Sequence, residues 1–386
     1  MRLCIYAQWR ALKYGEEYYL NRTHAAYLEY LALHAKITTV CAVEEVRCRP
    51  LDLQVVGGVS FIPIPSAVGY MHSYFNAIKY FWLFRRLVGS FAFDRIYVRL
   101  PDPLGWMLTF LGWRKTYVIN HFVGDSIDVT VRSDGNFIIR FAKVIFYIPE
   151  YILTVAASRF CANKTFANGQ ELARRLNGYK IQAVPVISST IKSSEIMPFS
   201  REPADDVCLN NAKFLYVGYL RKSKGVMTVL KSFHSLLERF PDISLSIVGD
   251  GEIGDEIKEY ILTHKLFGSI TMHGHIDNAV QLDNLYKSHD VFCFASTSEG
   301  SPRVVIEAML SGLLVITTRV GSVPYCFDSN KHVVFSDGFD EISFRDAMLK
   351  ALSMPSVERF ERRLSSYKEV QSNYTMDRFL DEVFLK

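Results

Sequence analysis

Short apolar, strand-like runs recur along this chain (RLCIYA, KITTVCAV, DRIYVRL, TYVIN, KFLYVG, ISLSIVG, SITMHG, VFCFAS and LLVITT). Most are followed by stretches with helical periodicity, such as GVMTVLKSFHSLLERF and SPRVVIEAMLSG. Parallel strands need a crossover between them, and a helix of this length supplies it, so the alternation predicts parallel sheets covered by helices. The pattern fails once, at residues 187–211 (ISSTIKSSEIMPFSREPADDVCLNN), where Ser, Pro, Asp and Asn mark a boundary. A chain of 386 residues exceeds the usual size of one domain. The expectation is α/β: two doubly wound Rossmann-like domains, 1–190 and 212–370, facing across a cleft and joined by a linker at 191–211. The remaining piece, 371–386, places Phe379, Leu380, Val383 and Phe384 at helical spacing and reads as a C-terminal helix, with the N-terminal domain as one place for it to pack.

Charge is uneven between the halves. Residues 1–190 carry 22 Lys and Arg against 13 Asp and Glu, the remainder 22 against 27, so the two parts are expected to meet different partners. In the basic half, YMHSYFNAIKYFWLFRRLVGSFAF (70–93) mixes aromatics with Lys79, Arg85 and Arg86. That composition suits a helix touching an anionic membrane surface as well as a helix buried by one face. The apolar segment FIIRFAKVIFYIPEYILTVAASRF (137–160) is broken by Arg140, Lys143, Pro149 and Glu150 and is not read as a membrane span. The seven cysteines are scattered without a C-x-x-C pair, and the N-terminus is short and polar for a signal peptide. A cytoplasmic protein is expected, peripheral on the inner face of the plasma membrane if the basic half meets lipid. No Cys and His cluster has finger-like spacing, so no metal is expected, nor is a nucleic-acid partner.

The chemistry concentrates in CFASTSEGSPRVVIEAMLSG, Cys293 to Gly312. A buried strand ends in a polar loop, Ser301 can cap the next helix, and Pro302 stands at its first position, where the missing N–H costs nothing. The amides of Arg303 and Val304 would then point out of a helix end whose dipole favours a phosphate, and Gly300 lets a ligand approach the backbone. Glu307 shares the face of that end, and a carboxylate there suits a vicinal diol such as a ribose. Glu299, just ahead of the helix, suits the hydroxyls of a sugar; an ordinary solvated acid is the alternative for both. A second piece, YVGYLRKSKG (216–225), runs from a strand into a loop holding Arg221, Lys222 and Lys224, a cationic loop that fits a diphosphate.

The ordered set V-G-x-L-x-x-x-K-G (217–225), V-G-D-G (248–251) and E-x7-E (Glu299, Glu307) ending in E-A-M-x-x-G resembles the donor-binding domain of glycosyltransferase family 4, whose fold is GT-B. The resemblance is specific from about Phe214 to Pro324. It implies a retaining transferase that needs no cofactor and takes a nucleotide-diphosphate sugar as co-substrate without a metal, in line with the absence of a D-x-D tripeptide. Carried over by position, Lys224 holds the diphosphate, Glu299 the sugar hydroxyls, the backbone from Gly300 to Arg303 the sugar and phosphate, and Glu307 the ribose. Toward the N-terminus it rests on Gly15 in a loop after RLCIYA and on TYVINHFVGD, where it implies a cleft-facing His121 or Asp125 as a catalytic group. Arg99 and Asp102 are acceptor contacts or a loop ion pair. Tyr219 stands where the family has arginine, with Arg221 or Lys222 as substitutes, and Tyr325 replaces the final acid of G-G-x-P-E. The implied acceptor is a glycan or lipid-linked glycan, and the implied process bacterial surface polysaccharide synthesis. A dinucleotide-dependent oxidoreductase and a non-catalytic nucleotide-sugar-binding partner are the competing classes.

GDGEIG (249–254) matches the dinucleotide pattern G-x-G-x-x-G. It follows the second strand of its domain rather than the first, and Asp250 and Glu252 would oppose a pyrophosphate. It is read as a tight turn opening a helix.

Overall fold

The computed structural model of the protein describes residues 1–64, 74–132, 137–201, 211–300 and 303–386. Ser301 and Pro302 lie outside the described residues. The chain divides into two compact units, Met1–Thr190 with Met376–Lys386, and Ile191–Thr375.

The first unit is built on β1 (Arg2–Tyr14), β2 (Glu17–Leu20), β3 (Lys36–Glu45), β4 (Gln54–Val55), β5 (Val59–Ile64), β6 (Arg95–Leu100), β7 (Tyr117–Phe122), β8 (Lys164–Asn168) and β9 (Ala183–Val186). Seven of them run parallel in the order β5-β3-β1-β6-β7-β8-β9, with β2 added antiparallel to the outer end of β1 and β4 antiparallel to β2. Alternation along β1 divides the core. Leu3, Ile5 and Ala7 face a cluster closed by the helix Arg22–Ala32, while Cys4 and Tyr6 face another with Tyr80, Phe84 and Leu108 from the helices Ala77–Ser90 and Gly105–Gly112. β1 is longer than RLCIYA, because buried Trp9 and Ala11 alternate with exposed Gln8 and Arg10 across a register shift. Gly15 sits in the turn between β1 and β2, at φ +60°, after a strand longer than RLCIYA.

The second unit holds β10 (Lys213–Val217), β11 (Ser244–Val248), β12 (Ile270–Gly274), β13 (Val291–Phe294), β14 (Leu314–Thr317) and β15 (Val333–Phe335). All are parallel, in the order β12-β11-β10-β13-β14-β15. In each sheet the winding reverses beside the first strand, between β1 and β6 in one unit and between β10 and β13 in the other. Loops leaving two such strands diverge to opposite faces and open a crevice at their carboxyl ends.

Two segments differ from the linker and tail boundaries drawn on composition. Residues 191–201 pack on the second unit: the Phe199 ring lies 5.4 Å from that of Tyr367 and 5.9 Å from that of Phe360, and Arg201 donates to the Lys287 carbonyl at 3.0 Å. The helix Ser356–Asn373 stays with the second unit, and the chain joins the first from Met376. There Phe379 meets Tyr27, Phe384 meets Tyr97 at 4.5 Å between rings, and Arg95 donates to the Phe384 carbonyl at 2.7 Å.

Candidate functional site

At the reversal point of the second unit, the loop after β10 and the loop after β13 are stitched together. Thr297 N–H donates to the Ser223 carbonyl at 2.9 Å, and Ser296 Oγ donates to the same carbonyl at 3.0 Å. This register puts Lys224 opposite Glu299, whose charged ends form an ion pair, with Ser296 Oγ 3.2 Å from the same carboxylate oxygen. The two side chains keep only 18% and 12% of their surface exposed, so the pair is held largely out of water. Tyr216, buried beneath, has its hydroxyl pKa raised by burial and by the charge of Glu299.

The crossing is possible because of Gly225. Its φ is +70°, and a Cβ there would stand 1.9 Å from the carbonyl oxygen of Ala295. Arg221 and Lys222 lie exposed on the outer side of the loop, with the Arg221 guanidinium 5.8 Å from the centre of the Tyr219 ring. Tyr219, where the resemblance implies an arginine, thus sits beside the nearest alternative cation.

Gly300 has open space where a side chain would be, and its carbonyl accepts from Ser322 N–H at 2.9 Å. The helix Arg303–Leu310 begins just beyond, with Arg303 exposed and Val304 half-buried; amides of a first turn have no acceptor within their own helix. Glu307, on the inner side of this helix, accepts a hydrogen bond from Tyr286 Oη at 3.1 Å. Burial raises its carboxyl pKa, against the opposing pull of Tyr286 and Arg303. A neutral or hydroxyl-bonded acid of this kind suits a diol better than a second anion.

The loop after β11 packs against the loop after β10, which explains GDGEIG. A Cβ on Gly249 would lie 1.9 Å from the Gly218 carbonyl oxygen, Leu220 N–H donates to the Asp250 carbonyl at 2.9 Å, and the helix starts at Gly254. The glycines of this turn are thus needed for close packing against the backbone of Gly218 and Leu220.

In the first unit the expectation of a cleft-facing His121 does not hold. The imidazole is 1% exposed; Tyr97 Oη donates to Nδ1 at 2.7 Å and Nε2–H donates to Asn168 Oδ1 at 3.0 Å. Burial pushes its pKa down to about 3, helped by Arg99 and opposed by Asn168. The side chain points inward because position 121 shares the sheet face covered by Phe379. Asp125 is half-buried at the strand exit and accepts from Ile127 N–H at 3.0 Å. Asp102 is no partner of Arg99: it is buried and accepts from Tyr6 Oη and Leu104 N–H, each at 2.9 Å.

Because His121 is neutral when folded and charges near pH 6.5 when unfolded, the unfolded chain binds the extra proton between those values. Its contribution is to lower stability as pH falls from about 6.5 toward 3, by about 1.4 kcal/mol per unit. Chemical denaturation of wild type and His121→Gln across this range should show a flatter acid limb in the variant; equal slopes would mean that the imidazole is protonated in the fold.

Comparison with known proteins bears on the second unit first. Residues 207–370 match the family described as glycosyl transferases group 1. An uncharacterized glycosyltransferase of Methanocaldococcus jannaschii is 29% identical over 143 residues, 36% of this chain and 34% of that protein. The chain spans 30% to 46% of the length of the next curated relatives it matches. Among solved structures, a glycosyltransferase from Rickettsia africae has a TM-score of 0.66 at 16% identity, covering 99% of this chain and 96% of that one. HepE of Anabaena, solved with UDP, has a TM-score of 0.65 at 12% identity, covering 99% and 98%. Likeness at this identity is one of fold: α/β with two Rossmann-like domains, GT-B. The family match lies within the second unit and is a likeness of that unit to glycosyl transferases group 1.

Sequence reasoning missed Tyr216, Tyr286 and Ser296. Each lies in or beside an apolar run where a hydroxyl reads as incidental, and only tertiary packing brings it to a carboxylate.

Proposed function

We propose that the chain is a metal-independent, retaining glycosyltransferase of family 4 type that moves a sugar from a nucleotide-diphosphate donor to a glycan or lipid-linked glycan acceptor. We assign it to bacterial surface polysaccharide synthesis, on the cytoplasmic face of the membrane. The observation carrying this reading is the Lys224–Glu299 pair at the reversal point of the second sheet, beside the first turn of the helix Arg303–Leu310. The Anabaena structure with UDP is consistent with a nucleotide in this fold.

In this mechanism Lys224 and the amides at Arg303 and Val304 meet the two phosphates, Glu299 takes hydroxyls of the sugar, and Glu307 takes those of the ribose. Lys224 and Glu299 exchange each other for these two parts of one ligand, so neither charge is left bare before the donor arrives. As the glycosidic bond to the diphosphate breaks, negative charge grows on the leaving oxygen. A cation and helix amides already aimed at it lower the barrier by about 3–4 kcal/mol per well-placed group. Asp125 is the first-unit group we assign to the acceptor side, in place of His121.

The test is release of nucleoside diphosphate from UDP-, GDP- and ADP-sugars in the presence of lipid-linked acceptors, with the anomer of the product read by NMR. One donor should turn over with retention. Silence across all three bases, or an inverted product, would refute the reading, and full turnover by Glu299→Ala would refute the assigned site.

A further inference from the structure

The helix Phe137–Phe160 has an apolar half that the fold leaves uncovered. Over residues 137–149 no described side chain is buried; Phe137, Phe141 and Ile145 are 70%, 58% and 52% exposed. Farther along, Ile148, Ile152 and Phe160 continue the exposed face. By length and composition Ile139–Phe160 could cross a bilayer. Its second half, however, is tied into the first unit by Glu150, Thr154, Ala157 and Ser158, all buried. A helix held by one face and bare on the other lies along a surface rather than through it.

Charge selects the surface. The helices Ala77–Ser90, Gly105–Gly112 and Phe137–Phe160 pack side by side in this unit. Counting them with the turn 113–115, they carry eight Lys and Arg and one acid, Glu150, which is buried. Trp82 is exposed near Arg85, and Arg114 lies 4.3 Å from the centre of the Trp113 ring. Two copies meeting through such faces would bring like charges together. Anionic lipid neutralises them, and tryptophans beside cations suit the headgroup level.

A groove of about 380 Å³ continues the face. Ile152, Val155 and Phe160 wall it, and Arg159 and Lys180 are among its lining, an apolar trough with cations that matches the two ends of a phospholipid.

We infer that this three-helix face, centred on residues 137–148, is a docking surface for an anionic bilayer. The inference rests on the membrane-side acceptor proposed above and moves the contact from the 70–93 stretch to the Phe137–Phe160 helix. In the first stretch Tyr80, Phe84 and Leu87 are core residues, and only its outer edge, with Ile78 and Trp82, is free to join.

Flotation of the full chain with vesicles of phosphatidylcholine alone and of phosphatidylcholine mixed with phosphatidylglycerol tests it. Wild type should float with the anionic vesicles and not the neutral ones. The double substitution Phe141→Glu and Ile145→Glu should weaken that binding at least about tenfold, and Lys143→Glu should weaken it less and in a salt-dependent way. These side chains touch no core, so the melting temperature and the shift caused by a nucleoside diphosphate should be unchanged. Loss of vesicle binding with nucleotide binding intact supports the surface. Vesicle binding without nucleotide binding supports the surface too, and counts against the donor site alone. Absence of wild-type flotation, equal flotation of the double variant, or a lipid-free dimer that the double variant dissolves would overturn the inference.

Discussion

Replacing Lys224 with methionine is expected to lower turnover by about 10²–10³-fold, the usual loss when one preorganised donor to a developing negative charge is removed. Two further readings separate this from simple damage. The variant leaves Glu299 largely out of water with Ser296 as its remaining partner, which should cost about 1.5–3 kcal/mol of stability, the range for a hydrogen bond to a charged group. Its affinity for a nucleoside diphosphate should fall by roughly 10–100-fold for the same reason. Glu299→Gln should behave differently. Turnover falls, because the sugar hydroxyls lose a charged acceptor, yet Lys224 is released from its ion pair. A nucleoside diphosphate, which has no sugar, should then bind as tightly as to wild type or more tightly. A loss of nucleotide affinity in Lys224→Met with none in Glu299→Gln is the signature of a pair that opens for its ligand; parallel losses would make it a purely structural bridge.

Gly225→Ala should be among the most damaging small substitutions in the second unit, together with Gly249→Ala. The left-handed backbone costs alanine about 1–2 kcal/mol, and relieving a contact at 1.9 Å with a backbone carbonyl adds an overpacking cost of about 1–3 kcal/mol. A fall in melting temperature of roughly 5–15 °C follows for a unit of this size. Gly300→Ala is the control. With open space at its Cβ and no left-handed φ, it should leave stability within about 0.5 kcal/mol while weakening donor binding, since a methyl group would then occupy space left for the ligand. Thermal unfolding of both variants decides the matter, and equal melting temperatures would mean that the two loops do not cross as described.

Much of this was legible in the chain because strand and helix periods differ. KFLYVG and VFCFAS end in Gly218 and Ser296, and their loops carry the charged residues, so the strand exits stood out. Which strands are neighbours was not legible. That Lys224 meets Glu299 depends on β10 lying beside β13, a pairing no local pattern encodes. His121 misled because a histidine at a strand exit shows no sign of which face it takes, and its face here is closed by Phe379 from the far end of the chain. Residues 191–201 misled in the opposite direction. Their Ser and Pro content hides Phe199 and Arg201, which anchor the segment. The membrane-length apolar run was plain, but its division into a buried polar stripe and a bare outer face required the fold.

The most direct measurement is thermal unfolding of the full chain with UDP, GDP and ADP, each beside NAD, for wild type and Lys224→Met. At a concentration near 100 times Kd, one nucleoside diphosphate should stabilise wild type by about 2.7 kcal/mol and Lys224→Met by much less, with no shift from NAD. No shift from any nucleoside diphosphate, or a shift that Lys224→Met leaves unchanged, would contradict a diphosphate held at the Lys224–Glu299 crossing.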